Sequence, residues 1–199
     1  MTQNNIRIAI TGGMGSGKSA VAEILVKEGY PVFSCDKIYT KLLNDSNFLG
    51  KLSTQFDGII TPDGALDRAK LSETVFNDKS ALSKLNALTH PAIMEEVLKK
   101  SKKEKLSFTE VPLLFENGFE RYFDSVIVVL RDENERINAI VERDGIEREK
   151  VILRLKSQFN YDKCNFAKYY VIHNCSNFAD LEQKTIEILK KITVRYKVN

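Results

Sequence analysis

The sequence predicts an α/β fold built on a parallel β-sheet that is covered by helices on both faces. Short, nearly continuous apolar runs alternate with segments of helical periodicity along the 199 residues, the pattern of strands that are buried on both sides. A glycine-rich loop, residues 12–19, lies between the first apolar run and the first helical segment. A content of 43% hydrophobic and 29% charged residues is typical of a globular chain with a sizeable core.

Five apolar segments have the length of strands. In chain order they are residues 6–11, 31–33, 108–111, 125–130 and 169–173. Helical periodicity follows the first segment and ends at Gly29, a typical residue after a helix. The last helix carries apolar residues along one face from Phe178 onwards. We therefore predict five parallel strands joined by helices.

The loop after the first predicted strand matches the phosphate-binding motif G-x-x-x-x-G-K-[ST]. Its backbone N–H groups would surround the phosphates of a nucleotide, with Lys18 at the β- and γ-phosphates and Ser19 on Mg²⁺. A plain glycine turn would not require that lysine and that serine. The predicted nucleotide-binding residues are Gly13, Met14, Gly15, Ser16, Gly17, Lys18 and Ser19. The sequence thus predicts binding of a nucleoside triphosphate.

Two long insertions interrupt the predicted sheet. About 75 residues with helical periodicity separate the second and third strands, far more than a compact crossover needs. A second insertion is rich in arginine and lysine. We expect one domain, residues 1–199, with a core of about 1–36, 106–131 and 168–199, a helical insertion of about 37–105 and a lid of about 132–167. A sheet with two such insertions around a phosphate loop is typical of a small kinase with an acceptor-binding part.

Two carboxylates follow predicted strands at the edge of the sheet where open α/β folds bind ligands. Asp36 could accept the proton of an alcohol during phosphoryl transfer. It could equally cap the helix that follows, because aspartate favours that position. Glu110 ends the third strand, where an acidic residue would help to hold Mg²⁺. An ordinary strand-end carboxylate is the alternative for Glu110.

Two further candidates lie in the helical insertion. His90 precedes Pro91, which we expect to begin a new helix, so His90 would lie at a loop-to-helix junction and could donate to a phosphate or hydroxyl. A structural histidine is the alternative. Arg68 follows Asp67, and that aspartate could simply cap the helix beginning there.

The lid contains several arginines, one of which would close over the transferring phosphate and neutralise its charge. They are Arg136, Arg143, Arg148 and Arg154. The alternative is an exposed helical hairpin with salt bridges, such as Glu147 with Arg143 or Arg148. Spacing alone does not distinguish the inward-pointing arginine.

The composition argues against several functional classes. A net charge of +3 suits small anionic ligands but not nucleic acid, which needs clustered basic residues. Three cysteines without metal-ligand spacing fit a reducing compartment. No apolar run approaches the roughly 18 residues of a membrane span, and we find no signal-peptide pattern. We expect a cytoplasmic protein with small-molecule partners, no nucleic-acid or membrane partner, and a monomeric or small homo-oligomeric state.

Taken together, the motifs resemble the dephospho-coenzyme A kinase family over nearly the whole chain. The matching pieces are residues 10–19, Asp36-Lys37-Ile38, Gly64-x-Leu66-Asp67-Arg68, Leu88-Thr89-His90-Pro91-x-Ile93, Val111-Pro112-Leu113-Leu114-Phe115-Glu116, Arg154-x-x-x-Gln158 and Val171-Ile172-x-Asn174. The resemblance implies a three-layer, P-loop nucleoside-kinase-like fold. It also implies ATP- and Mg²⁺-dependent phosphorylation of the ribose 3′-hydroxyl of dephospho-coenzyme A, giving coenzyme A and ADP.

The resemblance also assigns roles to residues. It makes Asp36 the favoured base, beside Lys18 in the catalytic group. It implies that the acceptor-binding residues are Asp36, Arg68, His90, Pro112, Leu113 and Glu116. The predicted metal-binding residues, Ser19 and Glu110, rest on the loop motif and on strand position instead.

The chain departs from the family pattern in three places. Ser34 stands where the family has an acidic residue two positions before the base, and Ala167-Lys168 stands near the place of an Ala-Asp pair. The family's lid shows Q-x-x-R-x-x-x-R, whereas this chain has Arg136, Ala139 and Arg143 at those positions. Arg136 or Arg143 would then replace the missing arginine, or the lid works differently, and we expect Arg143 to be the catalytic one.

Two rival functions stay open. A kinase for another small acceptor, such as a nucleoside monophosphate or a sugar, would use the same loop and lid, although the segments around His90 and residues 112–116 argue against it. A non-catalytic nucleotide switch would bind ATP without turnover, although Asp36 and the arginine-rich lid argue against that.

Overall fold

The computed structural model describes residues 5–156, 158–175 and 177–198. Within them, five strands form one sheet in the order β2-β3-β1-β4-β5, and every pair of neighbours is parallel. The strands are β1 (Ile6–Thr11), β2 (Val32–Ser34), β3 (Leu106–Glu110), β4 (Ser125–Leu130) and β5 (Tyr170–His173). The predicted five-stranded parallel sheet is confirmed, with three of the strands shifted at their ends by one or two residues.

The shifts at β2 and β3 have a local cause. Pro31 has no N–H to give to a strand ladder, so β2 begins one residue later, although the carbonyl of Pro31 accepts from the N–H of Phe108 at 2.9 Å. Leu106 and Ser107 pair in register with Ile6 and Arg7 of β1, which lengthens β3 at its start.

The described residues form eight α-helices. They are α1 (Lys18–Lys27), α2 (Cys35–Leu42), α3 (Ser46–Ser53), α4 (Arg68–Asn77), α5 (Lys79–Ser101), α6 (Glu133–Asp144), α7 (Arg148–Lys156) and α8 (Phe178–Tyr196). Local sequence sets several of their ends. Asp67 accepts a hydrogen bond from the N–H of Lys70 and caps α4, the alternative that the sequence left open for it. Gly145 ends α6 in the left-handed conformation.

The sheet is buried on both faces. In β4, the successive residues from Val126 to Val129 are all almost fully buried, although their side chains alternate between the faces. On one face, β1, β3 and β4 form a core with α1 and α8 through residues such as Ile24 and Ile192. Burial on both faces is the layered α/β arrangement that the apolar strands predicted.

The chain divides into two compact units. The sheet unit comprises Met1–Ser34 and Ser101–Asn199, and the helical unit comprises Cys35–Lys100. The helical unit contains α2, α3, α4 and nearly all of α5. It has its own core, which includes Phe48, Leu49, Leu52, Phe56, Ile59, Leu71 and Leu85.

Helix α5 differs from the prediction. Pro91 was expected to begin a helix, but it lies inside α5, which runs unbroken for 23 residues, and His90 therefore does not lie at a loop-to-helix junction. Residues before and after the proline, among them Leu85, Met94 and Val97, are buried. Their burial outweighs the cost of about 3 kcal/mol that proline imposes inside a helix.

In the part of the chain that the structure describes, no helix has the length and apolar character that crossing a membrane requires.

Candidate nucleotide-binding site

The loop between β1 and α1 has a backbone that glycine alone accommodates readily. Gly15 and Gly17 have φ values of 77° and 97°, in the left-handed region. At Gly12, a side-chain carbon would overlap the backbone carbonyl of Val129 in β4. The glycines of the motif are therefore required both by the turn and by its close packing on the sheet.

Lys18, the first residue of α1, reaches back over the loop. Its ammonium group donates to the carbonyl oxygens of Gly12 and Gly13 at 2.9 and 3.0 Å. Gly17 precedes the helix and, having no side chain, cannot cap its first N–H groups. A positive charge and an uncapped helix start thus occupy the same loop, an arrangement that favours an anion.

Ser19 and Glu110 lie side by side. The hydroxyl of Ser19 donates to the carboxylate of Glu110 at 2.8 Å. Glu110 is the last residue of β3, in register with Ile10 of β1 and with Ser34 of β2. The structure therefore brings together the two residues that were predicted to hold a metal ion.

The segment after α7 contacts the phosphate loop and also the last residue of β1. The N–H of Met14 donates to the side-chain carbonyl of Gln158 at 3.1 Å. The hydroxyls of Tyr161 and Thr11 lie 3.2 Å apart in a buried hydrogen bond. Burial raises the pKa of Tyr161 to about 12, so this phenol stays protonated at neutral pH.

Two residues from beyond β4 and β5 hold carbonyl groups of the same loop. The guanidinium of Arg131 donates to the carbonyl of Gly15 at 3.5 Å, and Glu135 binds the same guanidinium at 3.3 Å. The side-chain amide of Asn174 donates to the carbonyl of Ser16 at 2.9 Å. Contacts from three later parts of the chain, after β4, after α7 and after β5, therefore hold the loop.

The lid arginines occupy different environments. Arg143 is exposed and forms a two-point pair with Asp144, at 2.6 Å from Nε and 2.8 Å from Nη2. The hydrogen bonds to Asp144, helped by the attraction of its negative charge, raise the pKa of the Arg143 guanidinium. Arg136 is buried and packs against Gly13. The structure thus brings Arg136, rather than Arg143, into contact with the phosphate loop.

Two residues that were considered for salt bridges in an exposed lid hairpin, Glu147 and Arg148, have other partners in the structure. Glu147 pairs with Lys150 at 2.9 Å. Arg148 instead donates to the side-chain oxygens of Asn134 and Asn138 at 3.2 and 2.7 Å, which joins α7 to α6.

The segment 112–116 follows β3 and contacts the chain beyond α7. Leu113 is exposed and has a φ of 53°, a strained value for a branched side chain and a common mark of functional loops. The carboxylate of Glu116 accepts from the N–H of Phe159 at 3.3 Å. The ring of Phe115 stacks on Phe166 with centroids 5.4 Å apart. Pro112, between Val111 and Leu113, is half-buried.

The helical unit contains the other predicted site residues. Asp36 is exposed and is the second residue of α2, so it lies within the first turn of that helix rather than before it. His90 is half-buried within α5, and burial lowers its pKa.

Arg68, the first residue of α4, borders a cavity of about 180 Å³ within the helical unit. The cavity is lined by Tyr39, Leu43, Leu66, Arg68, Leu71, Ser72, Val75 and Leu85. Burial raises the pKa of Tyr39, and the nearby charge of Arg68 partly offsets that rise. The lining is mostly apolar, with Arg68 as its charged residue.

A transition-metal site is not indicated. Among the described residues, no group of three or more histidine, cysteine, aspartate or glutamate side chains could hold a metal ion. The three cysteines are free thiols, of which Cys35 is buried. The Ser19 and Glu110 oxygens suit Mg²⁺ better, because that ion takes few protein ligands and completes its shell with phosphate and water.

Comparison with known proteins decides the family. A sequence profile described as dephospho-CoA kinase matches residues 6–180. The chain belongs to the dephospho-CoA kinase family. A dephospho-CoA kinase of Fusobacterium nucleatum is similar to it, with 37% identity over 180 residues that cover 89% of this chain and 93% of the relative.

Two solved structures support the fold, and the second of them also supports the family. A protein of Thermus thermophilus superposes with a TM-score of 0.81 and 32% identity, covering 94% of this chain and 98% of its own. A dephospho-CoA kinase from Campylobacter jejuni superposes with a TM-score of 0.68 and 28% identity, covering 94% of this chain and 96% of its own. The predicted P-loop kinase fold and the predicted membership of the dephospho-CoA kinase family are both confirmed.

Several residues around the loop were missed as functional candidates. Gln158 and Asn174 belong to segments that match the dephospho-CoA kinase pattern, but their positions in the sequence indicated no role. Tyr161 lies outside the segments that match the pattern of the dephospho-CoA kinase family. The sequence did contain a signal for Gln158 and Asn174. Each is a polar residue within a family motif and neither caps a helix nor lies in a strand, so its presence needs an explanation.

Proposed function

We propose that this chain transfers the γ-phosphoryl group of ATP to the ribose 3′-hydroxyl of dephospho-coenzyme A, giving coenzyme A and ADP, the last step of coenzyme A biosynthesis. Membership of the dephospho-CoA kinase family supports the reaction. The observation that carries it is the hydrogen bond between Ser19 and Glu110 beside a phosphate loop that contains Lys18.

On the donor side, Lys18 and the loop N–H groups would hold the β- and γ-phosphates of ATP. Lys18 now donates to the carbonyls of Gly12 and Gly13, so its ammonium already lies at the loop. The proposed nucleotide-binding residues remain Gly13, Met14, Gly15, Ser16, Gly17, Lys18 and Ser19. Their amides and charge would stabilise the ADP leaving group as the phosphoryl group departs.

Mg²⁺ would be held by Ser19 and Glu110, whose hard oxygen atoms fit it and lie 2.8 Å apart. When bound, the ion would neutralise charge on the phosphate oxygens. Binding of the phosphates and orientation of the acceptor would come from the loop N–H groups and the side chains of this protein.

On the acceptor side, Asp36 would orient the 3′-hydroxyl and accept its proton while the oxygen attacks the γ-phosphorus. Its exposure leaves the carboxylate accessible to a substrate. Arg68 and His90 of the helical unit, and Pro112, Leu113 and Glu116 of the sheet unit, would bind the acceptor. The strained backbone of Leu113 and the charge of Arg68 at a cavity support these assignments.

Arg143 would stabilise the charge on the transferring phosphoryl group. Its pair with Asp144 uses Nε and Nη2, so Nη1 lies outside that pair and can donate to a phosphate oxygen. Arg136, which packs against Gly13, would help to hold the loop in place.

An acceptor panel tests the reaction. ADP release from ATP and Mg²⁺ would be followed with dephospho-coenzyme A, with coenzyme A, with nucleoside monophosphates and with sugars. We expect turnover with dephospho-coenzyme A alone, because the 3′ position of coenzyme A is already occupied. Faster turnover with another acceptor would assign a different kinase activity, and ATP binding without turnover on any acceptor would indicate a nucleotide switch. The same preparation can be used to determine the oligomeric state, for which we propose a monomer or small homo-oligomer acting in the cytoplasm.

A further inference from the structure

Asn174 is a buried polar residue that directly contacts the phosphate loop from the carboxyl end of β5, two strands away from β1. It follows β5 immediately, and its N–H donates to the carbonyl of Leu130 in β4 at 2.8 Å, which continues the strand pairing. The residue is 8% exposed. The backbone position of Asn174 is therefore fixed by the sheet, and its side chain is held in one place.

The side-chain amide of Asn174 donates to the carbonyl of Ser16 at 2.9 Å. In a trans peptide, the C=O and the following N–H point in opposite directions. A Ser16 carbonyl that is turned toward Asn174 therefore turns the N–H of Gly17 away from Asn174. Ser16 and Gly17 lie in the loop that would hold the phosphates, so the bond selects the direction of one phosphate-binding N–H group.

The same amide nitrogen of Asn174 also lies close to Gly17. The φ of 97° at Gly17 is left-handed, and a side-chain carbon there would overlap the amide nitrogen of Asn174. The Asn174 side chain thus packs directly on the Cα atom of Gly17. Two adjacent residues of the loop, Ser16 and Gly17, are held by one side chain.

We propose that Asn174 is a positioning residue for nucleotide binding, which fixes the Ser16–Gly17 peptide so that the Gly17 N–H faces the phosphates. This inference rests on the proposed use of ATP as phosphoryl donor. Asn174 acts through the loop backbone and does not itself need to touch the nucleotide. Its loss therefore weakens the binding of ATP and ADP in the absence of any acceptor.

The substitution Asn174→Asp tests this with almost no change of shape. A carboxylate cannot donate to the Ser16 carbonyl and repels it, so the peptide loses its fixed direction. Asn174→Ala removes the donor without adding charge and serves if the aspartate variant folds poorly. Binding of MgATP and of MgADP would be measured by calorimetry, with thermal unfolding recorded on the same samples.

Asn5→Asp is the matched control. The Asn5 side chain also donates to backbone carbonyls, those of Ser101, Lys102 and Glu104 at 3.1, 2.6 and 3.0 Å, but it precedes β1 at the opposite edge of the sheet. It therefore loses the same kind of bond in the same unit without touching the loop.

We expect both Asn174 variants to weaken nucleotide binding by about tenfold, the usual consequence of losing one buried hydrogen bond, while Asn5→Asp binds like the wild type. In kinetics, the KM for ATP should rise with little change in kcat or in the KM for dephospho-coenzyme A. Wild-type affinity in both Asn174 variants would overturn the inference, as would an equal loss in Asn5→Asp. If dephospho-coenzyme A proved not to be the acceptor, the proposed function would be wrong. The calorimetric comparison would still test the role of Asn174, because it measures nucleotide binding without any acceptor.

Discussion

Ser19 and Glu110 are hydrogen-bonded at 2.8 Å although 91 residues separate them in the chain. Parallel pairing of β1 with β3 causes this, because it brings the carboxyl end of β3 beside the loop that leaves β1. A hydroxyl and a carboxylate at that position place two oxygen ligands side by side before any ion binds. The relationship leads directly to a prediction about metal dependence.

Glu110→Gln should raise the Mg²⁺ concentration needed for half-maximal activity by about tenfold. The amide preserves shape and can still accept from Ser19, but it removes the negative charge that attracts the ion. Activity would be titrated with Mg²⁺ at fixed ATP and dephospho-coenzyme A. Glu104→Gln, just before the start of β3, is the control and should leave the titration unchanged. An unaltered Mg²⁺ requirement in Glu110→Gln would remove Glu110 from the metal site.

Asp36→Asn should lower kcat by about a hundredfold or more, because an amide cannot accept the proton of the 3′-hydroxyl. The affinity for ATP should stay within about twofold of the wild type, since Asp36 is assigned to the acceptor. Asp57→Asn, an exposed aspartate of the same unit, provides the comparison and should be fully active. Turnover near the wild-type rate in Asp36→Asn would show that the base lies elsewhere.

Arg143→Ala should lower kcat by about a hundredfold, because one charge-stabilising donor is lost in the transition state. Its midpoint of thermal unfolding should hardly change, because the side chain is 65% exposed. Arg148→Ala, in the same lid, is the matched substitution and should retain kcat. If Arg148→Ala slowed turnover and Arg143→Ala did not, the assignment within the lid would be reversed.

The lowered pKa of His90 predicts that the free energy of unfolding depends on pH. Burial lowers its pKa below the ordinary value of 6.5, so the folded state binds a proton less readily than the unfolded chain. The free energy of unfolding therefore falls as the pH falls through the interval between the unfolded and folded pKa values. That contribution is fully present above about pH 6.5.

Denaturant unfolding at about pH 7.5 and about pH 5.5 checks this. The wild type should lose more stability between the two pH values than His90→Gln, which has no imidazole to titrate. His173→Gln, at the exposed end of β5, should show the wild-type loss. Identical losses in the wild type and His90→Gln would contradict a lowered pKa of the half-buried His90.

The sequence was sufficient for most of the fold because its signals are local. The strand, loop and helix around residues 12–19 follow from apolar spacing and glycine positions, and all five strands appear within two residues of their predicted ends. Helix α5 was the exception, since the local signal of Pro91 favoured a helix start. Burial of the flanking residues, a tertiary effect, outweighed that signal.

The supports of the phosphate loop could not be predicted, because they join distant parts of the chain. Gln158 meets Met14 across 144 residues, Tyr161 meets Thr11 across 150, and Asn174 meets Ser16 across 158. A family motif can mark Gln158 or Asn174 as a residue with a role. The atom that each side chain contacts depends on the order of the strands in the sheet. The pairing of Arg143 with Asp144 likewise depends on side-chain geometry that spacing does not contain.

The transfer of labelled phosphate from ATP would show the proposed reaction itself. The chain would be incubated with ATP that carries a radioactive γ-phosphate, Mg²⁺ and dephospho-coenzyme A, and the position of the label in the products would be determined. We predict that the label appears on the ribose 3′-oxygen of coenzyme A in equal amount to the ADP released. Label found only in inorganic phosphate, or at any other position of the acceptor, would contradict the account.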